Sequence, residues 1–214
     1  FRRVLFRSRE VRLCACQAQG GSDTIYQAAM GSPEQIGKLW NECSKQAGRG
    51  LNTFVHAVAD GAPWIEDQAK GELKCDRFLL DFFHVCEYVN AAEPACSKNN
   101  RWFATQKNRL RRNRSDMLLQ ELGKHLEPEH LPDLDAPVRC AQRYLNNRLD
   151  QLDYKGSLEQ GLPLGSGLIE SGHKHVIQAR MKIAGAAWLE STVNAFSQTR
   201  AQRASAKWNL FWNN

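Results

Sequence analysis

The sequence predicts an α/β protein: a mixed sheet with flanking helices, interrupted by an all-helical stretch. Three observations predict it. Glu10 to Gln19 alternates between apolar and polar residues and is followed by a turn and a second extended run. Asn52–Ala59 and Phe78–Phe82 are short apolar runs, the pattern of strands covered on both faces, and helical spacing separates them. From about Cys86 to Gln160 strand signals vanish and amphipathic helical patterns take over.

Taken in order, Val11, Leu13 and Ala15 fall on one face of the first strand, and Arg12, Cys14 and Cys16 on the other. Gly20-Gly21-Ser22-Asp23 is a turn and Thr24 to Met30 returns, which makes a hairpin. Ser32-Pro33-Glu34 starts a helix, with the serine capping and the proline just inside. Ile36, Leu39, Trp40 and Cys43 give that helix an apolar face, and Gly48 to Gly50 should stop it. The run NTFVHAVA ends at Asp60-Gly61-Ala62, Pro63 begins another helix, and Phe78 opens the next strand. A helix joining two strands implies parallel neighbours. Arg101–Arg114 is strongly basic, Ser115–His125 and Ala136–Tyr154 read as amphipathic helices, and Gly165-Ser166-Gly167 turns into a long C-terminal helix. Trp188 and the group Trp208, Phe211 and Trp212 read as packing residues.

Composition sets the frame. The chain has 214 residues, 42% of them hydrophobic, which suffices for a packed core. No apolar run approaches the roughly 18 residues needed to span a bilayer, so no membrane partner is expected. The formal net charge of +6 favours a polyanionic partner. The first eight residues, FRRVLFRS, resemble the in-frame translation of a common DNA-sequencing adapter. Setting aside Arg2, Arg3 and Arg7 halves the net charge, so local basic clusters must carry the argument. The seven cysteines include no C-x-x-C pair, which argues against a zinc ribbon and for buried, reduced thiols.

Two carboxylates stand where chemistry could be done. Asp60 ends a buried strand, and the carboxyl ends of strands form the ligand crevice of open α/β sheets. A carboxylate there can hold a hard cation such as Mg²⁺; Asp-Gly-Ala-Pro is equally good helix-capping chemistry. Glu170 lies in the first turn of the helix after Gly167, where the helix dipole favours any acid, and Lys174 follows at i+4. Ile169, Gly172, Val176, Ala179 and Ile183 form an apolar stripe beside it, small enough at the glycine and alanine for close approach to a sheet. Lys174, Arg180 and Lys182 surround that acid with bases suited to DNA phosphates. The run containing Lys107, Arg109, Arg111 and Arg112 suits phosphate contacts on one or two helix faces, or is a solvated face. Trp102 either stacks on an unpaired base or belongs to the core of the helical stretch. His173 and His175 flank Glu170 without enough convergent ligands for zinc.

Several segments together resemble the ISKra-type insertion-sequence transposases: VADGAPWI (Val58–Ile65), LLDFFH (Leu79–His84), YLNNRLDQLDYKGSLEQGLPLGSGLIES (Tyr144–Ser171), ARMKIAGAAW (Ala179–Trp188) and the terminal SAKWNLFW (Ser205–Trp212). They occur in order over roughly residues 10–212. The resemblance implies a ribonuclease-H-like catalytic domain with an Asp-Asp-Glu triad that binds two Mg²⁺ ions, with Mn²⁺ as a substitute. Asp60 corresponds to the second aspartate and Glu170 to the glutamate. The first aspartate and a DNA-binding region are expected upstream of residue 10, because Asp23 falls in a turn and Glu10 too late in the strand order. The chain as written is then expected to be incomplete for catalysis. Asp81-Phe82-Phe83-His84 resembles the C/D-x-x-H signature of Mutator-like and hAT-like transposases. On that reading His84 orients phosphate or a metal-bound water; the other reading is a histidine fixing a strand–helix junction.

The implied organisation has residues 1–8 as artefact, 9–85 as the first part of the core, 86–160 as a helical insertion and 161–214 as core helices carrying Glu170. The implied activity is cleavage and strand transfer of transposon ends on double-stranded DNA, at terminal inverted repeats and target, by a homo-oligomer in the bacterial cytoplasm at the nucleoid. A structure-selective nuclease and a DNA-binding remnant without chemistry are the other classes that fit.

Overall fold

The alternating run forms the expected hairpin: β1 (Arg12–Gln17) pairs antiparallel with β2 (Thr24–Ala29), Arg12 opposite Ala29 and Gln17 opposite Thr24. Gly20 supplies the positive φ of the turn, at 74°. Helix α1 (Pro33–Gln46) begins as its sequence dictates, with a full capping box: Gln35 N–H donates to Ser32 Oγ and Ser32 N–H to Gln35 Oε1. It ends at Ala47, and Gly48 takes the left-handed conformation that follows. In this computed structural model the residues described are 10–98, 101–184 and 188–205. The adapter-like segment and Trp208, Phe211 and Trp212 lie outside them.

Two compact units divide the chain, one drawn from Phe1–Val55, Trp64–Cys75 and Gly167–Asn214, the other from His56–Pro63 and Asp76–Ser166. The architecture is mixed α/β. Among the described residues it contains two separate two-stranded sheets, where the sequence predicted one mixed sheet.

In the first unit the hairpin is covered on both faces. Cys14, Ile25 and Ala29 pack with Ile36 and Cys43 of α1, while Leu13 and Ala28 pack with Val176, Ile177 and Ala201. Helix α10 (Glu190–Ala204) lies along β2, with Val193, Ser197 and Ala201 buried. Its flanking side chains satisfy the strand edge: Tyr26 N–H donates to Ser205 Oγ at 2.8 Å and Met30 N–H to Asn194 Oδ1 at 3.2 Å. The helix after Gly167 is short at its start, α8 (Gly167–Gly172), then passes through a π-helical turn (His173–Gln178) before α9 (Ala179–Met181). The wider turn, marked by Ala179 N–H donating to Lys174 O, rotates the apolar stripe. Val176 is buried as expected, Ile177 is buried beside it, and the other expected stripe residues Ala179 and Ile183 are exposed. Gly172 keeps its predicted role: a Cβ there would lie 2.6 Å from Leu13 Cδ2 and 2.7 Å from Tyr26 Cε1.

In the second unit β3 (His56–Ala59) and β4 (Arg77–Leu80) pair in parallel, as the connection through α2 (Pro63–Gly71) required. Strand β3 is shorter than the apolar run suggested, because residues 51–54 are exposed and outside any strand. Phe82, expected as the last strand residue, is the first residue of α3 (Phe82–Cys96). Helix α2 past Pro63 counts with the first unit, and helices α3, α4 (Trp102–Arg111), α5 (Ser115–Gly123), α6 (Pro137–Asn146) and α7 (Tyr154–Glu159) make up the rest of the second. Its core runs from Leu79 and Leu80 through Val85 and Val89 of α3 to Leu110, Leu118, Val138, Leu145 and Tyr154. An 85/86 boundary therefore falls inside α3, within one continuous core.

Gly172→Val is expected to lower the unfolding free energy by about 1–3 kcal/mol through overpacking against Leu13 and Tyr26. Urea denaturation of the two proteins measures it, and an unchanged midpoint would contradict the close approach.

Candidate functional site

The parallel pair ends in two aspartates with different environments. Asp60 follows β3 and is exposed; its Oδ1 accepts from Ala62 N–H at 3.0 Å, which folds the chain into a tight turn. Gly61 has φ 79°, and a Cβ on it would lie 2.7 Å from Arg148 Nε and collide with Leu80 Cδ1. Only glycine fits that position.

The turn is held from α6 and its end. Tyr144 Oη donates to Asp60 O at 2.6 Å, and Arg148 donates twice to Gly61 O, from Nε at 3.2 Å and Nη2 at 2.9 Å. The Arg148 guanidinium lies 4.3 Å from the Tyr144 ring centroid, and Tyr144 stacks on Tyr88 of α3 at 4.1 Å. Burial pushes the Tyr144 phenol pKa well above its ordinary value, against the opposing charge of Arg148, so it stays a donor. Backbone carbonyls of the Asp60 turn are thus fixed while its carboxylate is left to solvent.

Asp81 follows β4 and is 3% exposed. Its Oδ1 accepts from Phe83 N–H at 2.7 Å and His84 N–H at 3.2 Å, which caps α3. Its Oδ2 accepts from both the N–H and the hydroxyl of Ser166, at 2.7 and 2.5 Å. Gly165 allows this approach, since a Cβ there would lie 2.6 Å from the Phe83 ring. Phe82 N–H donates to Leu164 O and Asp81 N–H to Ala59 O, so strand end, helix start and residues 164–166 are stitched together.

His84 sits one turn into α3, half-buried. Its Nδ1 lies 3.1 Å from Glu87 Oε2, and its ring meets Tyr88 and Tyr144 edge-on at 5.5 and 5.8 Å. Tyr144 therefore touches both His84 and the backbone of Asp60, and brings those two predicted residues to one place.

The remaining predicted residues divide as follows. Glu170, Lys174, Arg180 and Lys182 belong to the first unit and are all exposed; no ion pair joins Glu170 to Lys174 among the described residues. On α4 the basic run splits between two faces. Lys107 and Arg111 reach over the Phe82 ring, at 6.0 and 5.2 Å, while Arg109 donates to Gln106 Oε1 and Arg112 is exposed. Trp102 is a core residue, 9% exposed, so of its two readings the structure bears out packing in the helical stretch and not base stacking. Burial raises the Cys86 thiol to about 11 against the opposing charges of Lys107 and Arg111, which keeps it protonated at neutral pH. All seven cysteines are free thiols. Sequence reasoning missed the work done by Asp81, Tyr144 and Arg148. The D-x-x-H spacing and the Asp81–Phe82 step from strand to helix were the available signal for the first.

A model of an uncharacterised protein family, UPF0236, matches residues 46–208. The chain belongs to UPF0236. The UPF0236 match takes in Asp60, Asp81, His84, Tyr144, Arg148 and Glu170 and leaves out the hairpin. No curated protein and no solved structure matches the chain. No described helix is long and apolar enough to cross a membrane, and no three His, Cys, Asp or Glu side chains converge as a metal-ligand group among the described residues.

Asp81→Ala removes a cap and takes the acceptor from two part-buried Ser166 donors. The expected loss is about 2–4 kcal/mol of stability by denaturant titration. Asp60→Ala, at an exposed carboxylate, should lose about 1 kcal/mol or less. Equal losses would contradict the division of roles.

Proposed function

We propose that the chain is the catalytic part of an insertion-sequence DNA transposase with a ribonuclease-H-like fold, cleaving transposon ends and joining them to target DNA. The observation that carries this reading is the setting of Asp60. It stands at the carboxyl end of a parallel strand, on a turn clamped by Tyr144 and Arg148, with its carboxylate exposed.

The residues present suit Mg²⁺. That ion takes one or two protein carboxylates and completes its shell with waters and substrate phosphates. Asp60 Oδ2 has no partner among the described residues, and Glu170 is exposed in the first turn of α8. Asp60 and Glu170 would hold the metal; Asp81, with both oxygens engaged, would not. When bound, Mg²⁺ would activate a water or 3′-hydroxyl and stabilise the leaving oxygen.

The chain's own side chains have separable tasks. His84, oriented through Nδ1 by Glu87, can offer Nε2 to a phosphate oxygen. Lys107 and Arg111 on α4, and Lys174, Arg180 and Lys182 after Glu170, supply phosphate contacts on double-stranded DNA. Arg148 is a positioning residue, since both its contacts to Gly61 hold the turn rather than face solvent. On this reading the active complex is a homo-oligomer at the bacterial nucleoid.

The test uses the protein extended through its upstream reading frame, on DNA carrying the element's terminal inverted repeats. Mg²⁺-dependent cleavage is expected, falling about 100-fold or more in Asp60→Ala and in Glu170→Ala. Retained cleavage in either variant overturns the assignment. DNA binding with no cleavage in the unaltered protein supports a binding protein without chemistry.

A further inference from the structure

His56 begins β3 and makes a contact that the transposase reading leaves unused. Its Nε2 lies 2.9 Å from Pro163 O, so in the neutral ring Nε2 bears the hydrogen and donates. Its Nδ1 is buried and has no hydrogen-bond partner among the described residues. A bare ring nitrogen is tolerated there. Protonation would place a charged N–H in the same position with no acceptor, which is far more costly. Arg77 stands opposite His56 in the register of the parallel pair, so the facing charge has the wrong sign for an imidazolium. Asp153, the carboxylate that reaches this corner, is engaged elsewhere: it lies 3.5 Å from Arg77 Nη2 and accepts from Asn113 Nδ2 at 2.7 Å and Gly156 N–H at 2.9 Å. Burial draws the His56 pKa below the ordinary imidazole value, against the hydrogen bond to Pro163 and together with the charge of Arg77.

The contact holds one end of a strap, residues 161–166, that runs from the start of the strand pair to its end. Leu162 N–H donates to Ser157 O, and the hydroxyl of the same serine accepts from Arg77 Nη1 at 3.2 Å. Pro163 O accepts from His56, Leu164 O accepts from Phe82 N–H, and Ser166 N–H donates to Asp81 Oδ2. Proline has no N–H of its own, so its carbonyl is what joins the strap to β3 at this point. His56 is thus the side-chain anchor at the start of the pair and Asp81 the anchor at its end.

We propose that His56 is a pH-sensitive catch: protonation of its buried ring nitrogen turns the ring out to solvent, frees the Pro163 carbonyl and lets residues 161–166 leave the strand pair as a unit. The neutral ring keeps the strap seated. Because burial disfavours the proton, the seated state has its full stability above the ordinary imidazole pKa of about 6.5 and loses it as the pH falls below that value. The consequence reaches the candidate site, since Ser166 then leaves Asp81, the joint from which α3 and His84 are placed. The catch itself needs neither Asp60, nor a metal, nor the transposase reading.

Amide hydrogen exchange followed by NMR on the 214-residue chain tests it, at about pH 7.5 and 5.5 and with rates corrected for the intrinsic effect of pH. The Phe82 and Ser166 N–H groups should exchange faster at the lower pH, together, by up to about tenfold, the limit that one proton sets on a ring with an open-state pKa of about 6.5. His56→Gln keeps an amide donor for Pro163 O and cannot be protonated, so there the two rates should be the same at both pH values. Asp81, and His84 with its partner Glu87, also lie beside these amides and are unchanged in that variant. An equal acceleration in His56→Gln would therefore assign the effect to them and overturn the proposal. The unaltered chain alone can overturn it as well, through corrected rates that do not change with pH or through acceleration of only one of the two amides. Cleavage is not the readout, so loss of the catalytic reading leaves this result standing.

Discussion

The carboxylate of Asp81 accepts hydrogen bonds from the backbone of Phe83 and His84 and from the backbone and hydroxyl of Ser166. A buried carboxylate is tolerated only when its acceptor sites are filled, and here the filling donors come from two distant parts of the sequence. The same contact that caps α3 also pins residues 164–166 beside the end of β4. From it follow the orientation of α3, the placement of His84 and Tyr88 one and two turns along that helix, and the seat of Tyr144 against both. Tyr144 and Arg148 then fix the turn after β3. The exposed Asp60 is thus the end of a chain of constraints that starts at the buried one.

This arrangement separates two jobs that aspartates at strand ends can do. Asp81 spends both oxygens on protein donors and acts as a joint. Asp60 spends one on its own turn and leaves the other outward, while its backbone carbonyl and that of Gly61 absorb the grip of Tyr144 and Arg148. Rigid backbone beneath an exposed carboxylate is what a ligand for a hard cation needs, because such ions bind weakly to ligands that must first be ordered.

Local signals in the sequence identified the hairpin and the Ser32 cap, because each depends on neighbours within a few residues, and the helical run between two apolar stretches identified the parallel pair. Gly172 was legible for the same reason: a small residue on an apolar stripe implies close approach. What escaped the sequence was non-local or geometric. The π-helical turn at His173–Gln178 changes the residues per turn, so a stripe counted at 3.6 holds through Gly172 and Val176 and then fails: Ile177 is buried, while Ala179 and Ile183 are exposed. The pairing of Asp81 with Ser166 spans 85 residues and left no periodicity to read. Glu170 gained a place in α8 but no neighbour that assigns it a role, and its part in chemistry rests on the proposed function.

The central claim is that Asp60, and not Asp81, is the aspartate available to a divalent cation. Anomalous diffraction from crystals soaked in Mn²⁺ tests it most directly, since manganese scatters distinctly and accepts the same oxygen ligands. The account predicts a peak within about 2–2.5 Å of an Asp60 carboxylate oxygen and none at Asp81, whose bonds to Ser166 remain intact. A peak on Asp81, with Ser166 displaced and Asp60 bare, would contradict it.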